Sequence, residues 1–190
     1  MRTTVYFVRH AQPDFGWADD RTRPLTEEGL ADRSLVLEKL RDTPVDAFYS
    51  SPYRRSCDTV APAAEYFRLP IVTDERFRER QAGRGGNGGD MFRRRWADFD
   101  FHEDGGECLR DVQRRNVAAL FDLLDANPGG TVVVGTHGTA LSTILNHFDP
   151  DFGCDDFLRI IDWMPYIVEM TFEGHERVGM RELGHVHKQF

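Results

Sequence analysis

Two short apolar runs, far apart in the chain, each lead to a histidine. Residues 5–8 continue through Arg9 to His10, and residues 132–134 continue through Gly135 and Thr136 to His137. Short runs rich in β-branched residues and bounded by turn residues are typical of buried strands in a parallel sheet. Open α/β sheets bind their ligands at the carboxyl ends of the strands. The pattern therefore predicts that the two imidazoles face one pocket.

The rest of the chain alternates between strand-like and helix-like segments. Apolar residues recur at helical spacing over residues 109–124, and Thr26 is a suitable N-cap for a preceding helix. The predicted strands are residues 3–9, 45–49, 70–73, 132–136, 167–172 and 178–183, and the predicted helices are residues 25–41, 52–67, about 107–127 and 139–146. Helices between strands predict an α/β fold, a three-layer α/β/α sandwich with a mostly parallel central sheet. We expect residues 1–190 to form one domain.

Residues 80–106 differ from the regular pattern on either side. The segment begins with five closely spaced glycines and continues into an aromatic, arginine-rich run at residues 91–96. A glycine-rich stretch followed by such a run is typical of a movable cover, so we expect a lid-like insertion at about residues 80–106. Arg93 to Trp96 would then grip a second anionic group or a ring. The alternative is a helix whose aromatic side chains pack on the core while its arginines stay solvated.

Composition excludes several classes of function. The net charge of −8 argues against a nucleic-acid partner, because phosphate-backbone binding needs a basic surface. No apolar stretch has the length of a membrane span and no signal-peptide pattern opens the chain, so we expect a cytoplasmic protein without a membrane partner. Three widely spaced cysteines predict reduced thiols. With 22 arginines against two lysines, an arginine indicates function only through its position.

Several blocks along the chain resemble the histidine phosphatase superfamily, the phosphoglycerate mutase-like family. The matching blocks are Arg9-His10-Ala11, Leu25 to Gly29, Ser50 to Arg55 with Thr59, Glu79 to Gly83, Gly105 to Glu107, and Gly135 to Gly138. They stand in the family's order and together touch most of the chain. The resemblance implies a phosphoglycerate mutase-like fold and phosphoryl transfer without a metal or a cofactor.

The resemblance also implies roles for five catalytic residues. His10 is expected to be the nucleophile that carries the phosphoryl group, and His137 to donate a hydrogen bond to a phosphoryl oxygen. Arg9 and Arg55 are expected to grip the equatorial oxygens, because a guanidinium can bind two oxygens at once. Glu79 is expected to protonate the leaving group and then to activate water.

Two further residues are expected to bind the phosphate. Gly138 would let the backbone approach a ligand closely because it has no Cβ atom. Gln12 occupies a position that varies in the family between small polar residues and glutamine. Neither assignment follows from the strand pattern alone.

The leading hypothesis is a metal-independent phosphomonoester hydrolase acting on a small phosphorylated metabolite through a phosphohistidine at His10. The alternatives are a phosphoglycerate mutase-type phosphotransferase, which returns the group to substrate, and a phosphate- or phosphopeptide-binding relative without turnover. The sequence does not distinguish the substrates of such enzymes. A second copy of the chain is a candidate partner through an apolar edge near Ile160, Ile161, Trp163 and Ile167.

Overall fold

A computed structural model describes residues 1–189 and shows a six-stranded sheet between two layers of helices. The strands are β1 (Arg2–Arg9), β2 (Ala47–Ser50), β3 (Ile71–Thr73), β4 (Thr131–Thr136), β5 (Trp163–Glu173) and β6 (Glu176–His187). The helices are α1 (Glu27–Asp32), α2 (Ser34–Leu40), α3 (Arg54–Phe67), α4 (Met91–Ala97), α5 (Leu109–Ala126), α6 (Gly138–Phe148) and α7 (Cys154–Ile160), with a 3₁₀ turn at Glu75–Phe77. The three-layer prediction is confirmed.

The sheet has the strand order β3-β2-β4-β1-β5-β6 and mixed directions. The first four of these strands run parallel, whereas β5 pairs antiparallel with β1 and β6 antiparallel with β5. The expectation of a mostly parallel sheet is therefore wrong in detail. The tight turn at Gly174, with φ of +60°, joins β5 and β6 as a hairpin, and such a connection requires antiparallel strands.

Alternation along β1 divides the core between the two faces of the sheet. Val5 and Phe7 pack with α5, α6 and α7 in one cluster, whereas Tyr6 and Val8 pack with α2 and α3 in the other. Successive side chains of a strand point to opposite faces, so a continuous apolar strand serves both layers.

Two boundaries differ from the sequence prediction. The predicted helix at residues 25–41 is two helices, with the break at Arg33, which is the C-cap of α1 and the N-cap of α2. Strand β5 begins at Trp163 and pairs with a neighbour on each side, so it is not a sheet edge. Ile160 and Ile167 are buried, whereas Ile161 and Trp163 are partly exposed, and pairing with a second copy stays a prediction. Within the described residues, no helix is both long and apolar enough to cross a membrane.

Candidate active site

The two histidines come together where β1 and β4 end. These strands are parallel neighbours, and Arg9 stands opposite Thr136 in their register. Each histidine follows one of these residues directly, and their ring centroids are 5.2 Å apart with planes inclined at 62°. Both side chains are buried. The two rings are therefore neighbours at one edge of the sheet, although of the two only His10 lines the cavity described below.

The His10 ring is held in one tautomer. Its Nδ1 lies 2.7 Å from the Ala11 carbonyl oxygen, which can only accept a hydrogen bond. Nδ1 therefore carries the proton, and Nε2 of the neutral ring keeps its lone pair. Burial lowers the pKa of His10 well below its usual range, and the charges of Arg55 and Arg9 lower it further. The imidazole is therefore neutral at neutral pH, in the form that can attack an electrophile.

Arg9 and Arg55 stand beside His10 with part of their donor capacity unused. Arg9 donates through Nη1 to the carbonyl oxygens of Ile160 and Trp163, at 2.7 and 3.2 Å. Arg55 donates through Nη1 to the Asp20 carbonyl oxygen at 2.6 Å and lies 3.1 Å from the Asp20 carboxylate. In the described part of the chain, neither buried Nε has a partner. We call Arg9, His10 and Arg55 the cavity floor.

Burial also acts on the two guanidinium groups of the floor. It lowers the pKa of Arg9 to about 10, and the negative charges of Glu79 and Asp162 oppose that change. Burial lowers the pKa of Arg55 as well. Both groups nevertheless stay protonated at neutral pH, so the floor offers an anion two positive charges beside a neutral nucleophile.

His137 lies fully buried next to His10 and does not line the cavity. Its Nε2 is 2.7 Å from the Ser51 hydroxyl oxygen, and its Nδ1 has no partner within residues 1–189. The Tyr53 ring packs edge-on against it at 5.2 Å. Burial is the main cause that lowers the pKa of His137 well below its usual range, and the charge of Arg55 is the second cause. The ring is neutral at neutral pH and retains one unpaired nitrogen.

The Glu79 carboxylate binds the N-terminus of α6. Its Oε2 accepts from the Thr139 N–H at 3.0 Å, and its Oε1 accepts from the N–H groups of Ala140 and Arg80 at 3.1 and 2.7 Å. Backbone N–H groups in the first turn of a helix have no partner within the helix, and a carboxylate satisfies them. The same side chain lines the cavity together with the floor. Glu79 thus lies close to the site and also caps the helix that follows His137.

The structure does not bring Gln12 or Gly138 to the cavity wall. The Oε1 atom of Gln12 accepts from the Thr26 hydroxyl at 3.2 Å. A Cβ atom on Gly138 would lie 3.0 Å from Nη2 of Arg9, so the glycine makes room for that guanidinium against the start of α6. The phosphate-binding roles of both residues stay predictions.

Arg115 is a residue that the sequence analysis missed. From α5 it donates through Nη1 to the carbonyl oxygens of Arg76 and Arg78, at 2.7 Å each, and through Nη2 to that of Glu79 at 3.1 Å. The Glu107 carboxylate holds the same guanidinium at 2.8 and 2.9 Å. Arg115 therefore fixes the backbone that carries Glu79. No sequence signal pointed to it, because its partners are carbonyl groups of a distant segment.

An open cavity of about 750 Å³ lies above the floor. The cover segment, residues 80–106, contributes Phe92 to its wall, and Phe15 lies among the other lining residues. Trp96 does not line the cavity and instead packs against Phe152 and Phe157, at centroid distances of 6.0 and 5.7 Å. Arg93 is exposed and pairs with an exposed aspartate.

A buried ionic cluster anchors the cover segment. Glu103 accepts from Arg80 at 2.7 Å and from Arg95 at 2.8 Å, and all three side chains are at most 4% exposed. These two hydrogen bonds, together with the Gly83 N–H, outweigh the effect of burial and lower the pKa of Glu103 to about 2. Arg95, predicted to face a ligand or solvent, is therefore buried and paired within this cluster.

Within residues 1–189, no group of three or more histidine, cysteine, aspartate or glutamate side chains is arranged to hold a metal ion. The expectation of metal-independent chemistry stays a prediction.

Comparisons with known proteins identify the family of this chain. The family model described as the histidine phosphatase superfamily (branch 1) matches residues 5–176. A 2,3-bisphosphoglycerate-dependent phosphoglycerate mutase of Mesorhizobium japonicum is 28% identical over 179 residues, which cover 80% of this chain and 84% of that protein.

Solved structures show the same fold. A mycobacterial glucosyl-3-phosphoglycerate phosphatase superposes with a TM-score of 0.78 at 19% identity, covering 96% of this chain and 97% of the other. A mutant phosphoserine phosphatase from Entamoeba histolytica, in complex with phosphoserine, gives a TM-score of 0.76 at 17% identity, with 96% of each chain covered. At these identities the likeness establishes the fold alone.

Proposed function

The chain belongs to the histidine phosphatase superfamily, and we propose that it hydrolyses phosphomonoesters of a small metabolite. The proposed reaction uses no metal and passes through a phosphohistidine at His10. The observation that carries the proposal is the state of the His10 ring. Its Nδ1 donates to a carbonyl oxygen, and its Nε2 is left with a lone pair in a ring on which the charges of Arg55 and Arg9 act. A neutral nucleophile beside two cations suits attack on a phosphate dianion.

In the first step, His10 Nε2 attacks phosphorus and the bond from phosphorus to the ester oxygen breaks. Arg9 and Arg55 bind the equatorial oxygens, where charge builds up in the transition state. Glu79 gives a proton to the leaving oxygen. The hydrogen bond that the resemblance implies from His137 to a phosphoryl oxygen stays a prediction, because this buried side chain does not line the cavity. The products of this step are the free alcohol and phosphohistidine.

In the second step, water attacks phosphorus on the phosphohistidine. The Glu79 carboxylate takes a proton from the water, and the bond between nitrogen and phosphorus breaks. Phosphate leaves, the His10 ring is neutral again, and Glu79 is protonated for the next cycle. Arg115 supports both steps indirectly, because it fixes the carbonyl groups of the segment that carries Glu79.

The test is phosphate release from a panel of phosphomonoesters with EDTA present, for wild type and for His10→Ala. We expect release that persists in EDTA and falls by at least about a thousandfold in the variant, because the variant lacks the nucleophile. Thermal unfolding serves as the control for an intact fold. Equal rates in the two proteins, or loss of wild-type activity in EDTA, would overturn the mechanism.

The role of Glu79 has its own test. Glu79→Gln should slow esters with poor leaving groups, such as alkyl phosphates, far more than aryl phosphates, because only a poor leaving group needs a proton. Equal slowing of both would show that Glu79 acts by capping α6 and not as the acid.

The relative from Mesorhizobium japonicum supports a mutase as the second candidate. A mutase would return the phosphoryl group from phosphohistidine to the substrate. Incubation with 3-phosphoglycerate and 2,3-bisphosphoglycerate distinguishes the two activities. Formation of 2-phosphoglycerate faster than phosphate release would favour the mutase. A chain that binds phosphate but neither releases nor transfers it would be a binding relative.

A further inference from the structure

Beyond the floor, the arginines that line the cavity already have carboxylate partners. Each is held through one or more terminal nitrogens, and the pairs are Arg21 with Glu75, Arg23 with Asp20, and Arg80 with Glu103. A second anionic group on a substrate would have to displace one of these carboxylates. Because the Arg80 pair is buried, breaking it would leave an uncompensated charge. The Arg21 and Arg23 pairs are partly exposed, but there too a second anion would have to compete with a carboxylate that is already in place.

The carboxylate of Asp162 is in the opposite situation. It lies in the cavity wall between α7 and β5 and is half-buried. In the described residues it makes no hydrogen bond and no ion pair, although its charge acts on Arg9. Its backbone carbonyl oxygen is engaged by the Lys188 N–H at 2.8 Å, which fixes the position of the residue. A fixed acceptor without a donor is thus present next to the floor.

The cavity that Asp162 lines also has apolar residues in its wall. Ile161, which precedes Asp162, and Met164, two positions after it, line this cavity together with Phe15 and Phe92. An amino group that enters this region loses water and gains a carboxylate in partly apolar surroundings, where a charge pair is stronger than at an open surface. A hydroxyl group would gain less there, because the strongest hydrogen bonds have an ion on each side.

We propose that the leaving group of the substrate carries a positively charged amino group, bound by Asp162, and no second anionic group. The substrate class is then an aminoalkyl phosphate, with the phosphate on Arg9 and Arg55 and the ammonium on Asp162. This inference rests on the proposed phosphatase function. It differs from the acidic substrates named for the phosphoglycerate relatives.

Three esters of nearly equal size test the inference: O-phosphoethanolamine, ethyl phosphate and phosphoglycolate. O-phosphoethanolamine and phosphoglycolate place an ammonium nitrogen or a carboxylate oxygen three bonds beyond the ester oxygen, and ethyl phosphate is the uncharged counterpart, shorter by one heavy atom. We expect kcat/KM of the wild type to be about tenfold higher for O-phosphoethanolamine than for ethyl phosphate, and lowest for phosphoglycolate, since a hydrogen bond to a charged group supplies about this factor. Asp162→Asn should bring the ratio of the first two esters close to one.

Asp42→Asn, at an exposed carboxylate after α2, is the matched control and should keep the wild-type ratio. A preference for phosphoglycolate, or an ammonium preference that survives in Asp162→Asn, would overturn the inference while leaving the phosphatase proposal intact. No release from any ester, by a protein of unchanged thermal stability, would overturn the phosphatase proposal and the inference with it. The ratio separates recognition from a general loss of activity, because a merely structural defect would slow all three esters alike.

Discussion

The cavity floor and the cover segment both depend on buried arginines, and they use them in opposite ways. In the floor, Arg9 donates to neutral carbonyl oxygens and Arg55 shares one nitrogen with Asp20, so both keep unpaired donors. In the cover segment, Arg80 and Arg95 share the Glu103 carboxylate. An arginine held by carbonyl groups keeps its charge for a ligand, whereas one held by a buried carboxylate has its charge offset within the protein. Arg55 also lies near the Asp20 carboxylate, but that carboxylate is partly exposed, so a buried carboxylate partner, and not burial of the arginine, separates the two uses.

The largest expected effect is a loss of catalytic efficiency on substitution in the cavity floor. Arg55→Lys should lower kcat/KM by about a thousandfold, equivalent to roughly 4 kcal/mol, because an ammonium cannot bind two phosphoryl oxygens as a guanidinium does. The neighbouring Arg54 is half-exposed and pairs with Asp58 on the same helix, so Arg54→Lys is the matched control. Steady-state kinetics on one ester measures both. A similar loss in the two variants would show that charge on α3, and not the geometry of Arg55, is what matters.

A smaller effect, on stability, is expected in the cover segment. Glu103→Gln leaves two buried guanidinium groups without their shared carboxylate, and removal of one partner from such a pair costs about 3 kcal/mol of unfolding free energy. Urea denaturation measures this. Glu173→Gln, which breaks an exposed pair with Arg2, should cost less than about 1 kcal/mol. If both variants lose the same small amount, the buried cluster does not anchor the segment.

The dependence of stability on pH has the smallest effect for one side chain and one pH unit, and it separates the two regions. The folded-state pKa values of His10 and His137 lie well below 6.5, so the unfolded chain binds more protons as the pH falls through 6.5. Stability should therefore decrease below pH 6.5, by about 1.4 kcal/mol per pH unit for each imidazole.

Glu103 contributes in a different pH window. Its pKa is about 2 in the folded protein against 4.5 as the ordinary value, so its contribution is complete above pH 4.5 and is lost as the pH falls toward 2. Denaturation curves between pH 8 and 5 should show the histidine contribution alone, and His10→Ala should have the shallower slope. An unchanged slope in that variant would contradict the neutral state assigned to His10.

The sequence by itself determined the features that depend on neighbouring residues. Apolar runs of strand length, the helical spacing over residues 109–124 and the Thr26 N-cap are read from adjacent positions, and the structure contains all of them. The histidines at two strand ends were predicted to share a pocket because parallel strands end at the same edge of a sheet. The family followed from short blocks in a fixed order, and it is confirmed.

Only the tertiary structure decided which partner each polar side chain has. Arg95 pairs with Glu103, Glu79 accepts from the first turn of α6, and Gly138 makes room for Arg9. The local sequence pattern also did not predict the direction of β5 or the break between α1 and α2 at Arg33. The physical reason is that a hydrogen bond or an ion pair depends on distance in space, and segments far apart in the chain come within reach only when the core has packed. Periodicity specifies which face of a helix or strand is buried, but not which side chain it meets there.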